Sequence, residues 1–213
     1  MKSHTIKIDL HVHSSERSNC AVATAEEQVR AAVAAGLDAI VFTDHHRLVD
    51  ANQLNDLNAR YAPFRIFGGI EITAQGEDFI LCGLNDAALE NRAWNYADLW
   101  QFVQQKNGFL ALAHPFRYHQ QIAADIARFP PHAIEICSTN TPPRAAPEIQ
   151  EIAASLKISL LCNSDAHAPE RLGSYYNIFD ELPPDDASLA AALKAGRFQC
   201  GSGFKNIGVK NTA

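Results

Sequence analysis

Ile6-Lys7-Ile8-Asp9-Leu10-His11-Val12-His13 is a strand-like run that ends in two imidazoles, and the same junction recurs along the chain. Ala39-Ile40-Val41-Phe42 runs into Thr43-Asp44-His45-His46, and Ile66-Phe67-Gly68-Gly69-Ile70 into Glu71. Phe109-Leu110-Ala111-Leu112-Ala113 ends at His114, and Leu160-Leu161-Cys162 leads into Asn163-Ser164-Asp165-Ala166-His167. Six of the nine histidines therefore sit just past short apolar runs. Five such junctions are the pattern of a metal site assembled from strand ends.

Working outward, strands alternate with helices. Thr24-Ala25-Glu26-Glu27 reads as a capping box that opens a helix ending at Gly36. A strand at 38–43, a helix at 50–60 and a strand at 64–73 follow, and 79–84 is expected to pair back as a hairpin through Gln75-Gly76-Glu77-Asp78. Helices are expected at 96–106, 120–128, 147–156 and 186–195. Further strands are expected at 109–113, 133–137, 158–162, 175–179 and 198–200. Near-continuous apolar strands between helices indicate an α/β fold with a parallel sheet covered by helices. An open doubly wound sheet usually carries a Gly-rich phosphate loop, and no such loop is present. In a closed barrel all strand C-termini meet on one face, so ligands dispersed over more than 150 positions can converge.

Composition sets the limits. The 213 residues, 47% hydrophobic and 20% charged, fit one globular domain over residues 1–213. A net charge of −6 opposes an extended nucleic-acid surface. No window approaches the roughly 18 apolar residues of a membrane helix, which leads to the expectation of a soluble, cytoplasmic protein. The five cysteines lack a Cys-x-x-Cys pair, and Cys82, Cys137 and Cys162 read as buried small hydrophobes.

The chemistry follows from residue type. His11 and His13, two apart on an extended segment, point to the same side, and Asp165 and His167 share that spacing. With His45, Glu71 and His114 they make seven candidate ligands. Mixed imidazole and carboxylate donors without thiolates suit Zn²⁺, Mn²⁺ or Fe²⁺. One catalytic ion takes three or four protein groups, so two to three divalent ions bridged by Glu71 or Asp165 is the economical reading. Such a centre predicts hydrolysis of a phosphate ester by a metal-activated water, with no side chain assigned as the catalytic group. Arg47, Arg117 and Arg171 lie just beyond candidate ligands and are expected to supply phosphate binding. His4, His119 and His132 are isolated and read as solvated or merely hydrogen-bonded, and His46 should point away from His45.

These residues carry a resemblance. Asp9-Leu10-His11-Val12-His13-Ser14, Val41-Phe42-Thr43-Asp44-His45, Gly69-Ile70-Glu71-Ile72-Thr73, Ala113-His114-Pro115 and Ser164-Asp165-Ala166-His167 resemble the motifs of the polymerase and histidinol phosphatase (PHP) family, in its order. The resemblance implies a distorted seven-stranded (β/α) barrel and a trinuclear site. It places His11, His13, Glu71 and Asp165 on a first ion, Glu71 and His114 on a second, and His45 with His167 on a third. It also implies a further ligand after the first motif, where the chain offers Glu16 or Cys20, and another within 135–140. The expected function is that of a metal-dependent phosphoesterase acting on a small phosphorylated substrate. Two alternatives stand beside it: an amidohydrolase-type hydrolase, which also begins with His-x-His, and a metal-binding module without turnover.

Overall fold

A computed structural model of the protein describes residues 5–90 and 92–203, so His4 lies outside the described residues. Strand β1 (Ile6–Val12) leads to helix α1 (Ala25–Ala34), β2 (Ala39–Phe42), α2 (Ala51–Tyr61), β3 (Arg65–Ala74) and β4 (Glu77–Cys82). Then come α3 (Tyr96–Gln105), β5 (Phe109–Leu112), β6 (Ala133–Cys137), α4 (Ala146–Leu156) and β7 (Ser159–Cys162). The last elements are β8 (Tyr175–Phe179), α5 (Asp186–Lys194) and β9 (Gln199–Ser202).

Helix starts follow local chemistry. Thr24 and Glu27 form the reciprocal capping box at α1, and the Asp50, Asn95 and Asp185 side chains accept N–H groups of the first turns of α2, α3 and α5. The helix expected at 120–128 does not form. There the Glu77 carboxylate takes the Ala123 N–H and Asp125 takes the Arg128 N–H, while Ala124 and Ile126 turn into the core. Those side chains satisfy the donors that a helical ladder would need.

The sheet has nine strands in the order β7-β6-β5-β4-β3-β2-β1-β8-β9. The α/β barrel class holds, but seven strands and an all-parallel sheet do not. β4 and β8 run antiparallel to both their neighbours. The reason at β4 is a two-residue turn, Gln75 and Gly76, both at positive φ, which the Ala74↔Glu77 register closes as a hairpin. A backbone ladder joins neighbours from β7 through to β9, and the remaining seam is spanned by backbone bonds of Ala166 with His11 and His13 and by the side chain of Asn177. The buried Asn177 amide on β8 donates to the Cys162 and Asn163 side of the gap at 2.9 and 2.8 Å, and its Oδ1 accepts the Cys162 N–H at 3.2 Å.

Inside the barrel, Ile8, Leu10, Val41, Phe67, Ile80 and Phe109 pack with Leu189, Ala190 and Leu193 of α5. Each fully buried Ile, Leu, Val or Phe side chain among them contributes roughly 1.5–3 kcal/mol. α5 thus stoppers the end where β5 begins, with Lys194 bonded to the Asn107 carbonyl just before that strand. Gly83, at φ +78°, lets the chain pass there, since a Cβ would stand 2.5 Å from that of Ala190. The opposite end, where the parallel strands finish, stays polar. No described helix is long and apolar enough to cross a membrane.

Candidate metal centre

All seven ligand candidates from the sequence meet at that polar end. His11 lies at the end of β1 and His13 directly after it, Glu71 lies on β3, and His45, His114, Asp165 and His167 follow β2, β5 and β7. His11 Nε2 lies 3.4 Å from both Glu71 Oε2 and Asp165 Oδ1, and His13 Nε2 lies 3.4 and 3.2 Å from the same two oxygens. His45 Nδ1 is 2.9 Å from Glu71 Oε2, His114 Nε2 is 3.1 Å from Glu71 Oε1, and His167 Nδ1 is 3.3 Å from Asp165 Oδ1. His114 and Asp165 adopt positive φ, +24° and +52°, a backbone cost on the order of 1–3 kcal/mol for a non-glycine residue.

Four of these atoms decide what the cluster is for. His11 Nε2, His13 Nε2, Glu71 Oε2 and Asp165 Oδ1 are buried and lack hydrogen-bond partners. Burying such groups unsatisfied costs roughly 1–3 kcal/mol each, more for charged ones. A divalent cation shared by the four would satisfy all of them, so the residues present fit a metal. Suitable donor atoms lie close together in four overlapping sets: His11/His13/Glu71, His11/His114/Asp165, Glu71/Asp78/His114 and His13/His45/His167.

The groups behind the ligands set their orientation. Glu135 on β6 accepts His11 Nδ1 at 3.2 Å, Asn163 Nδ2 at 2.8 Å and the His114 N–H at 2.8 Å. Ser18 Oγ faces His13 Nδ1 at 3.3 Å, donates to Asp44 at 2.8 Å and accepts the His45 N–H at 3.0 Å. With Nδ1 of both imidazoles facing Glu135 and Ser18, Nε2 is the nitrogen that points inward. Asp9 accepts the N–H groups of His11 and Ser164 and so ties β1 to the segment after β7.

Charge balance follows the same geometry. Burial alone would keep His11 neutral, but Asp165, Glu71 and Glu135 outweigh it and raise it well above the usual imidazole range. The same contest raises His45 and His114 through Glu71. His13 goes the other way, because burial and the neighbouring His11 prevail. Burial opposes ionisation of Glu71 and Asp165 too, yet His11 and the other imidazoles hold both well below the carboxylate range. Asp9, buried without a cationic partner of comparable effect, is pushed up to about 7.

Several residues fall differently from expectation. Glu16 is not in the cluster, since its carboxylate accepts the Ala25 N–H at the start of α1. Cys20 is exposed. Within 135–140, Glu135 stands behind His11, and the Asn140 amide donates to Asp165 at 2.6 Å. Of the arginines, Arg117 reaches the centre, its Nη1 3.5 Å from Asp165 Oδ2, whereas Arg47 and Arg171 are exposed. A cleft of about 470 Å³ opens beside Arg117, lined by Phe116, Tyr118, Arg144 and Glu148. His46 does turn away, at φ +54°, its Nε2 accepting the Thr73 N–H.

Asp78 is the residue that sequence reasoning missed. It is buried, 4.0 Å from His114 Nε2, and held by the Thr73 hydroxyl at 2.5 Å. A search for polar residues after apolar runs passes it over, because Asp78 precedes Phe79-Ile80-Leu81-Cys82. On an antiparallel strand the first residues, not the last, reach this face.

Residues 9–142 match the sequence model of the PHP domain, and residues 143–198 that of a PHP-associated region. Comparison with curated proteins finds no match. Solved structures share the fold at low identity. A candidate metal-dependent phosphoesterase from Bifidobacterium adolescentis superposes with a TM-score of 0.64 at 12% identity, over 76% of this chain and 88% of that one. An amidohydrolase from Chromobacterium violaceum, solved with sulfate and no metal, gives 0.65 at 16% identity, over 90% and 96%. A lesion-specific endonuclease from Pyrococcus furiosus gives 0.60 at 14% identity, over 92% of this chain but 58% of that one.

Proposed function

The chain belongs to the PHP domain family, and from that premise we propose that it is a metal-dependent phosphoesterase that hydrolyses a small phosphate ester. The observation that carries the reading is the set of four buried, unpartnered donor atoms on His11, His13, Glu71 and Asp165, beside a cationic, solvent-open cleft. His11, His13, His45, Glu71, His114, Asp165 and His167 would hold two to three ions, with Asp78 joining the Glu71 and His114 group. Zn²⁺, Mn²⁺ and Fe²⁺ all suit this donor set. When bound, such ions lower the pKa of water and neutralise charge developing on phosphoryl oxygens.

The chain's own residues do the rest. Glu71 and Asp165 each face several imidazoles, which is what bridging carboxylates must do. Glu135 and Ser18 meet Nδ1 of His11 and His13, so Nε2 is the nitrogen each ring would offer to an ion. Arg117 offers guanidinium donors where a phosphoryl oxygen would leave the centre, and the cleft beyond it has room for the remainder of a small substrate.

A panel of phosphomonoesters, phosphodiesters and amides, assayed with Mn²⁺ or Zn²⁺ against His11→Ala, tests the proposal. Ester cleavage lost in the variant is expected. Cleavage of amides alone points to amidohydrolase chemistry, and no turnover with metal bound points to a binding module; either sinks the phosphoesterase reading.

A further inference from the structure

On the helix-covered side of the sheet, away from the metal centre, three thiols come together. Cys137 and Cys162 are direct partners across the parallel strands β6 and β7, and the Cys162 thiol lies within hydrogen-bonding reach of both Cys137 and Cys200. Cys200 Sγ donates to the Leu160 carbonyl at 3.4 Å. Cys162 is buried in the core cluster with Ile149 and Ala153, whereas Cys137 is only half-buried. The other two cysteines stand apart, Cys82 inside the barrel and Cys20 exposed.

We propose that Cys137 and Cys162 are a peroxide-sensitive thiol pair that closes to a disulfide. Neighbouring strands run about 4.8 Å apart, inside the roughly 4.4–6.8 Å between Cα atoms that a disulfide tolerates. Cys137 is the entry point, because it is the member that solvent reaches, and the Cys162 S–H donating to it favours its thiolate. Its sulfur attacks hydrogen peroxide; the O–O bond breaks, an S–O bond forms and one water leaves. Cys162 then attacks the sulfenic sulfur; the S–S bond forms, the S–O bond breaks, and the hydroxyl departs with the Cys162 proton as a second water. Two thiols lose two electrons in all, and the peroxide becomes two waters.

Position gives the bond a consequence. Cys137 leads directly to Ser138 and Asn140, and Asn140 holds Asp165, while Cys162 leads to Asn163, which holds Glu135. The disulfide would therefore fasten together the two segments that present Asp165 to the cluster.

The test is peroxide treatment of the full chain, followed by alkylation under denaturing conditions and peptide mass mapping. The expected result is a Cys137–Cys162 cross-linked peptide with a two-hydrogen mass loss, reversed by dithiothreitol and retained in Cys200→Ala. In Cys162→Ala the cross-link is lost and Cys137 proceeds to sulfinic acid. The proposal is overturned if Cys137 and Cys162 both remain alkylatable while Cys20 is oxidised, or if the cross-link joins Cys162 to Cys200. The wild-type and Cys200→Ala results decide it even if Cys162→Ala does not fold.

Discussion

Glu135 Oε1 stands 3.2 Å from His11 Nδ1, and both residues are fully buried. That contact holds Nδ1 toward Glu135 and so leaves Nε2 facing Glu71 and Asp165. The Glu135 carboxylate also accepts from Asn163 and from the His114 backbone, so three donors converge on two oxygens.

Glu135→Gln replaces one of those oxygens with a donor, and at least one of the three contacts must fail. Metal affinity should drop about 10- to 100-fold, the usual cost of losing a group that orients a ligand. Isothermal titration of the metal-free chain with Zn²⁺ or Mn²⁺ measures this, and an unchanged affinity would remove the orienting role.

Asp78 and Asp165 should separate by stoichiometry. Asp165 faces His11, His13, His114 and His167, so Asp165→Asn should abolish activity and strip most bound metal. Asp78 meets only the Glu71 and His114 group, so Asp78→Asn should lower the metal-to-protein ratio without emptying the centre. Elemental analysis of both variants decides the matter, and equal losses would contradict the grouping.

The pH response should reverse with metal loading. In the metal-free chain His11, His45 and His114 are raised by carboxylates, and Asp9 is raised by burial to about 7. Their protonated forms favour the fold, so this stability is full below the unfolded values and is lost as pH climbs through the raised ones. Glu71 and Asp165, held low, lose their contribution only in strong acid. Metal binding displaces imidazole protons, so the metal-induced rise in Tm should grow as pH rises through the raised imidazole range. Thermal scans with and without metal test this; a constant difference would show that these imidazoles do not bind it.

Asn177→Ala should open the seam beside β7. It leaves the buried Cys162 N–H without the Asn177 acceptor and the Cys162 C=O without the Asn177 donor, while Asn163 Oδ1 keeps the Leu10 N–H, a loss of roughly 3 kcal/mol at the usual cost of unsatisfied groups. Urea unfolding reads the difference, and a change below about 1 kcal/mol would mean that other contacts hold the seam.

Arg117→Ala should raise KM for a phosphate ester with metal content unchanged, because Arg117 touches Asp165 but is not itself a donor to a cation. Arg47→Ala and Arg171→Ala serve as exposed controls expected to leave kcat/KM within about twofold. A fall in metal content in Arg117→Ala would instead make it a positioning group for Asp165.

The sequence by itself determined the α/β barrel class, the capped start of α1, a hairpin through residues 75–78, and the seven ligand candidates that meet at one end. These are legible because capping, turn chemistry and strand-end polarity depend on neighbours a few positions apart. Tertiary structure alone decided the rest. Strand direction is set by partners far along the chain, so the antiparallel run of β8 could not be read from an apolar pattern that looks the same in either direction, and Asp78, expected in the hairpin turn, lies on β4 because that turn closes in two residues. The roles of Glu135, Ser18 and Asn177 likewise rest on hydrogen bonds between separate elements, where a polar residue has meaning only once burial shows what it must satisfy.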